Sequence, residues 1–190
     1  MTERGHLCRP ILISLVFLLI GPLSAWAQED NSFMPKGGKT LLLELLGTPL
    51  DAAALREVAE ARHTEAEWRD LMAARKKTLS ERDLNELAAY LALNLPLPAG
   101  ALDKATTRGD FTSALPADGR ELAWTQCQFC HSLFSGYLMQ QRDVQGWRNV
   151  FLSPFHRGIK MTPPERETFA GFWAASMPLK KEDVPAELRF

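Results

Sequence analysis

Cys127-Gln128-Phe129-Cys130-His131 spells Cys-x-x-Cys-His, the attachment signature for c-type haem. Two thiols one helical turn apart can each bond a vinyl group of one porphyrin. The imidazole of His131 then stands as the proximal iron ligand. Iron would supply the chemistry, and the rest of the chain would set its potential, access and partners.

The beginning of the chain reads as an export signal. Arg4 and Arg9 give a basic start, Ile11 to Ile20 form a short apolar core, and Ala25-Trp26-Ala27 has the small-x-small pattern of a cleavage site. The apolar run is about half the roughly 20 residues a spanning helix needs, so cleavage near Ala27 and no permanent membrane anchor are expected. Cys8 precedes the apolar core and would leave with the signal. Cys127 and Cys130 are then the only cysteines, with no disulfide framework to claim them. Export to the periplasm is also where covalent haem attachment takes place.

Removing residues 1–27 would take away Arg4, Arg9 and Glu3 from totals of 22 basic and 23 acidic residues, leaving a net charge of about −2. That balance excludes no protein partner, but it argues against nucleic acid and anionic membranes.

The remaining 163 residues divide into two similar halves. Trp68-Arg69-Asp70-Leu71 matches Trp147-Arg148-Asn149-Val150. Ser80-Glu81-Arg82-Asp83 through Leu95-Pro96 lies without a gap on Thr162-Pro163-Pro164-Glu165 through Met177-Pro178. Within that stretch Leu87, Ala88 and Tyr90 fall on Phe169, Ala170 and Phe172. The spacing between the two blocks differs by three residues, as a diverged duplication would show. The expected organisation is a signal over 1–27, a first repeat over 28–96, a linker or wrapping loop over 97–118, and a haem-bearing second repeat over 119–190. Proline and glycine in Asn94 to Gly100 and in Pro116 to Gly119 mark the linker.

The expected fold is all-α. Asp51 to Arg62 and Glu65 to Lys77 carry apolar residues at helical spacing. Ser80 is a cap for a helix whose Leu84, Leu87, Ala88 and Leu91 share one face. Thr162 caps the last helix, with Pro163 at its first position and Glu165 in its first turn. Phe169, Phe172 and Trp173 give that helix a bulky face, fit for a porphyrin or for any core.

From about Gly119 to Met177 the chain resembles class I c-type cytochrome domains, and among them the cytochrome subunit of periplasmic sulfite dehydrogenases. The shared elements are Cys127 to Leu133, Gly146-Trp147 with Val150, and the capped terminal helix. The resemblance implies a cytochrome c-like helical domain with one covalent haem c per chain, and a degenerate, haem-free copy over Thr40 to Pro96. Counting back from Trp68 by the Cys127–Trp147 spacing lands on Thr48, where no thiol exists. The family's distal methionine shortly after the tryptophan would fall near Pro154 and is missing. Met139, His156, Met161 and Met177 are the substitutes, with Met161 favoured and His156 the alternative. A thioether there would raise the potential relative to a second imidazole.

Two other uses of the cysteines stay open: a zinc site drawing on His131 and His156, and a dithiol, whose strand–helix–strand setting is absent. His63, among Glu60, Arg62 and Glu65, reads as a surface histidine on a solvated helix face. No nucleophile elbow or phosphate loop points to catalysis. The expected function is therefore an exported monohaem carrier that passes single electrons to a redox protein partner, a dehydrogenase or respiratory complex, as a free shuttle or as a subunit. The alternative is a haem-based sensor or ligand-binding protein with an open or weakly ligated iron.

Overall fold

The computed structural model describes residues 32–75, 78–108, 110–128, 130 and 139–189, all within one compact unit. The expected signal over 1–27 and its cleavage site lie outside the described residues, as does His131. Helices and turns make up the described chain and no strand occurs among the described residues, so the fold is all-α.

Helix α1 spans Gly38–Leu46 and has no side-chain cap of its own. Two distant carboxylates take its first N–H groups instead: Gly38 donates to Glu86 Oε1 at 3.2 Å, and Thr40 to Asp118 Oδ2 at 3.3 Å. Acceptors at a helix N-terminus satisfy orphan donors and meet the positive end of the dipole. Helix α2, Ala52–Glu60, is capped by Asp51, and it buries Leu55, Val58 and Ala59. In the connection to α3, Glu65–Arg75, Thr64 and Glu67 bond each other reciprocally, and α3 buries Trp68 and Met72. His63 lies in this connection rather than on a helix face, half-buried and edge-on to Trp68 with ring centroids 4.7 Å apart. Helix α4, Glu81–Asn94, has the expected Ser80 cap, which accepts from the Asp83 amide at 3.1 Å. It buries the expected face of Leu84, Leu87, Ala88 and Leu91.

The segment expected as linker is not featureless. Gly100, at φ 75°, turns the chain into α5, Ala101–Thr107, and a short 3-10 turn follows over Phe111–Ala114. Leu102, Ala105 and Leu115 are buried there, and Leu102 and Leu115 join the core of α1–α4, so the segment wraps the first half. Helix α6, Gly119–Cys127, starts at a capping box between Asp118 and Glu121. Asp143 caps the short α7, Val144–Arg148, and two 3-10 turns over Asn149–Leu152 and Pro154–His156 lead on. Helix α8, Pro163–Ser176, opens with the expected Thr162 cap, Pro163 and Glu165 in a second full capping box.

Helices α1 and α3 pack on α4, α6 and α7 pack on α8, and α4 packs on α8. The α1–α4 and α6–α8 crossings share one device. A Cβ on Gly38 would lie 2.2 Å from the Tyr90 Cβ, and one on Gly119 would lie 2.1 Å from the Phe172 Cβ. Each glycine lets a helix backbone close directly onto an aromatic side chain. Tyr90 and Phe172 were already aligned by the sequence. Two apolar cores result, one around Leu42, Leu55, Trp68, Leu87 and Leu91, the other around Trp147, Phe151, Phe169, Phe172 and Trp173.

Candidate functional site

The Asp118 box starts α6, and nine residues later the helix delivers Cys127 at its last position. Cys127 is half-buried against the second core, whereas Cys130 is exposed. Burial, with Cys130 as a smaller contributor, pushes the Cys127 thiol up to about 12. At neutral pH it is therefore a protonated thiol, a poor nucleophile and a poor metal ligand until its proton leaves. That weighs against dithiol exchange. Among the described residues no three His, Cys, Asp or Glu side chains converge on a point that would hold a metal ion.

The wall behind Cys127 is aromatic. The Trp147 and Trp173 centroids are 4.9 Å apart, Phe169 stacks on Trp173 at 5.2 Å, and Phe151 meets Phe169 edge-on at 5.3 Å. Arg142 lies over Trp147 and Arg166 over Phe151, at 5.2 and 5.1 Å from the ring centroids. The indole N–H groups of Trp147 and Trp173 are buried with no acceptor among the described residues. A buried donor without a partner costs about 1–3 kcal/mol, so this core would gain from an acceptor brought by another molecule.

The distal candidates separate. Met139 is exposed, and Met177 is buried at the C-terminal cap of α8. Met161 is 6 % exposed and packs into the aromatic core just before α8. His156 is half-buried, with Nδ1 2.8 Å from the Val150 carbonyl. A carbonyl only accepts, so Nδ1 is the donor of that bond. Both Met161 and His156 thus remain chemically fit to ligate iron. His131 completes the motif but lies outside the described residues.

Sequence reasoning gave no role to Met34, which is 2 % exposed and joins the second core from ahead of α1. Nor did it find Asp118 and Glu86, whose carboxylates are buried by elements far away in sequence. In the first half, the Gly38–Gly119 register places Leu46 opposite Cys127, two residues from the Thr48 reached by counting from the tryptophans. Leu46 is buried and Leu50, which the same count aligns with His131 in sequence, packs on the first core, so this half closes on its own side chains.

A groove of about 480 Å³ runs between α4 and α8, lined by Asn85, Glu86, Ala89, Leu93, Gly171 and Ala175 among others. None of its lining residues comes from α6 or from the 156–161 segment. No family model, no curated protein and no solved structure matches the chain.

Proposed function

We propose that this protein is an exported monohaem c-type cytochrome that carries single electrons between redox proteins. The observation that carries the reading is the Cys127-to-His131 string of the sequence, whose first cysteine ends a helix opened by a capping box and lies against an aromatic core. The residues present fit a porphyrin: two thiols, an adjacent imidazole, a wall of aromatic rings and two buried indole donors lacking acceptors. Bound haem c would supply a one-electron iron couple.

The chain's own parts have definable tasks. Cys127 and Cys130 would hold the porphyrin through thioethers, and His131 would ligate the iron. Met161, or failing it His156, would fill the distal position. Trp147, Phe169 and Trp173 keep water from the second core. No acid or base is needed, because an electron can leave a porphyrin edge without proton transfer by the protein.

The repeated Gly–aromatic crossings, the matching caps at Ser80 and Thr162, and buried Trp68 and Trp147 support a diverged tandem of cytochrome c-like domains. In this reading the first half is a haem-free copy whose own core side chains, Leu46 and Leu50 among them, replace the cofactor.

The test is an optical spectrum of the exported protein in both oxidation states, with the haem checked for covalent attachment. Covalent c-type bands with a weak far-red sulfur-to-iron band are expected. Haem bands lacking the far-red feature would move the distal position to His156, or to an open iron that binds small ligands. No haem absorption would sink the proposal and return Cys127 and Cys130 to thiol or zinc chemistry.

A further inference from the structure

Two apolar side chains stand out of the surface in the loop between α7 and α8. Phe155 is 94 % exposed and Leu152 is 71 % exposed, the two highest values for large apolar side chains among the described residues. Neither position is a loose tip. Leu152 ends the Asn149–Leu152 turn, which buries Phe151 in its place, and Phe155 sits in the Pro154–His156 turn. The Val150 carbonyl holds His156 at 2.8 Å, so the two turns are tied together beneath the exposed pair. Leaving a Leu and a Phe in water forgoes about 1.5–3 kcal/mol for each side chain, which a partner surface could recover.

Within the loop's own sequence the charges have one sign. Between Asp143 and Glu165 the chain carries Arg148, Arg157 and Lys160 and no acidic residue. Glu167 neutralises Arg148 through two hydrogen bonds. Arg157 and Lys160 are exposed and form no ion pair among the described residues. An apolar centre flanked by two uncompensated cations is unusual on a chain whose overall charge is negative.

We propose that Leu152, Phe155, Arg157 and Lys160 form a docking surface for an acidic protein partner, whose carboxylates would flank an apolar spot of its own. This names the partner class for the carrier reading above and rests on it. A protein is favoured over an anionic membrane because two cations contribute only about 1 kcal/mol each at a lipid surface, and the rest of this chain is acidic. Steering by opposite charge with a small apolar contact suits an encounter that must form fast and release.

The experiment uses the haem-loaded mature protein, with its spectrum recorded first. An acidic blue-copper protein is the probe, titrated at low and high salt and followed by NMR. Residues 152–160 should shift, and the affinity should fall with salt. Arg157→Glu with Lys160→Glu should weaken low-salt binding about tenfold, and Leu152→Ser with Phe155→Ser by a few-fold with the salt dependence retained. Unchanged binding by both variants would overturn the proposal, as would binding to phosphatidylserine vesicles in place of the probe. A changed haem spectrum in the Leu152→Ser, Phe155→Ser protein would also overturn it, by placing those side chains on the porphyrin. A haem-free chain that still bound the probe at this loop would keep the surface and sink the carrier reading.

Discussion

Gly119 and Phe172 meet with no room for a side chain between them: a Cβ on Gly119 would fall 2.1 Å from the Phe172 Cβ and 2.6 Å from its Cγ. Gly38 stands in the same relation to Tyr90, at 2.2 and 2.5 Å. These atoms are the base of each aromatic side chain, not a flexible end, so the helices themselves would have to part. Overpacking of this kind costs about 1–3 kcal/mol or more, which exceeds the roughly 1 kcal/mol that alanine gains over glycine in a helix. Gly119→Ala and Gly38→Ala should therefore both lower the urea midpoint. A neutral or raised midpoint in either variant would show that its crossing is looser than described.

Asp118 serves two helices at once. Its Oδ1 accepts from the Glu121 amide at 3.0 Å within its own helix start, and its Oδ2 accepts from the Thr40 amide at 3.3 Å at the start of α1. The carboxylate is fully buried, and a Cβ on Gly37 would collide with it. Loss of an N-cap costs about 1 kcal/mol, and each buried donor left unmade adds about 1–3 kcal/mol. Asp118→Ala should accordingly destabilise by several kcal/mol, more than Ser80→Ala or Thr162→Ala, whose caps are exposed. Equal losses across the three variants in chemical denaturation would contradict the bridging role.

Glu86 gives the fold a pH dependence. Burial is the main cause that raises its carboxyl from 4.5 to about 8; Asp118 and Asp83 push the same way, while Arg82 and the Gly38 amide oppose them. The folded state therefore binds a proton that the unfolded state releases near pH 4.5. Stability from this group is fully present below about pH 4.5 and is lost as pH rises toward about 8, a change of a few kcal/mol. Glu86→Gln keeps an acceptor for the Gly38 amide and removes the titration. Its unfolding free energy should fall less steeply between pH 5 and 8 and exceed that of the parent at pH 9. Parallel pH curves for the two proteins would remove Glu86 from the account.

What the sequence made legible depended on the range of the interaction. The caps at Ser80 and Thr162 and the face Leu84, Leu87, Ala88 and Leu91 are local, set within a few residues by helix geometry, and each is found where expected. The Cys127-x-x-Cys130-His131 string is equally local, although its histidine lies outside the described residues. By contrast, Gly38 and Gly119 act against residues more than fifty positions away, and nothing in their neighbourhood marks them as crossing points. Glu86 and Asp118 look like solvated charges until α1 is laid across them. The same reason hid α5: Pro98 and Gly100 signal a break, but the helix that follows is held by burial of Leu102 and Ala105 rather than by its own pattern.

Met161 offers the sharpest discrimination, because it is both a buried core residue and the favoured distal ligand. Truncation would confuse the two roles: Met161→Ala would open a cavity costing about 2–5 kcal/mol and remove the sulfur in the same step. Met161→Leu separates them. Leucine keeps the volume, so unfolding should change by less than about 1.5 kcal/mol, yet it offers no thioether to iron. With Met161 as ligand, the far-red band of the oxidised protein disappears and the reduction potential falls, while the thermal midpoint barely moves. With His156 as ligand, Met161→Leu leaves spectrum and potential as they were, and His156→Phe changes both. A protein in which neither substitution alters the spectrum holds its iron with another distal group or with none.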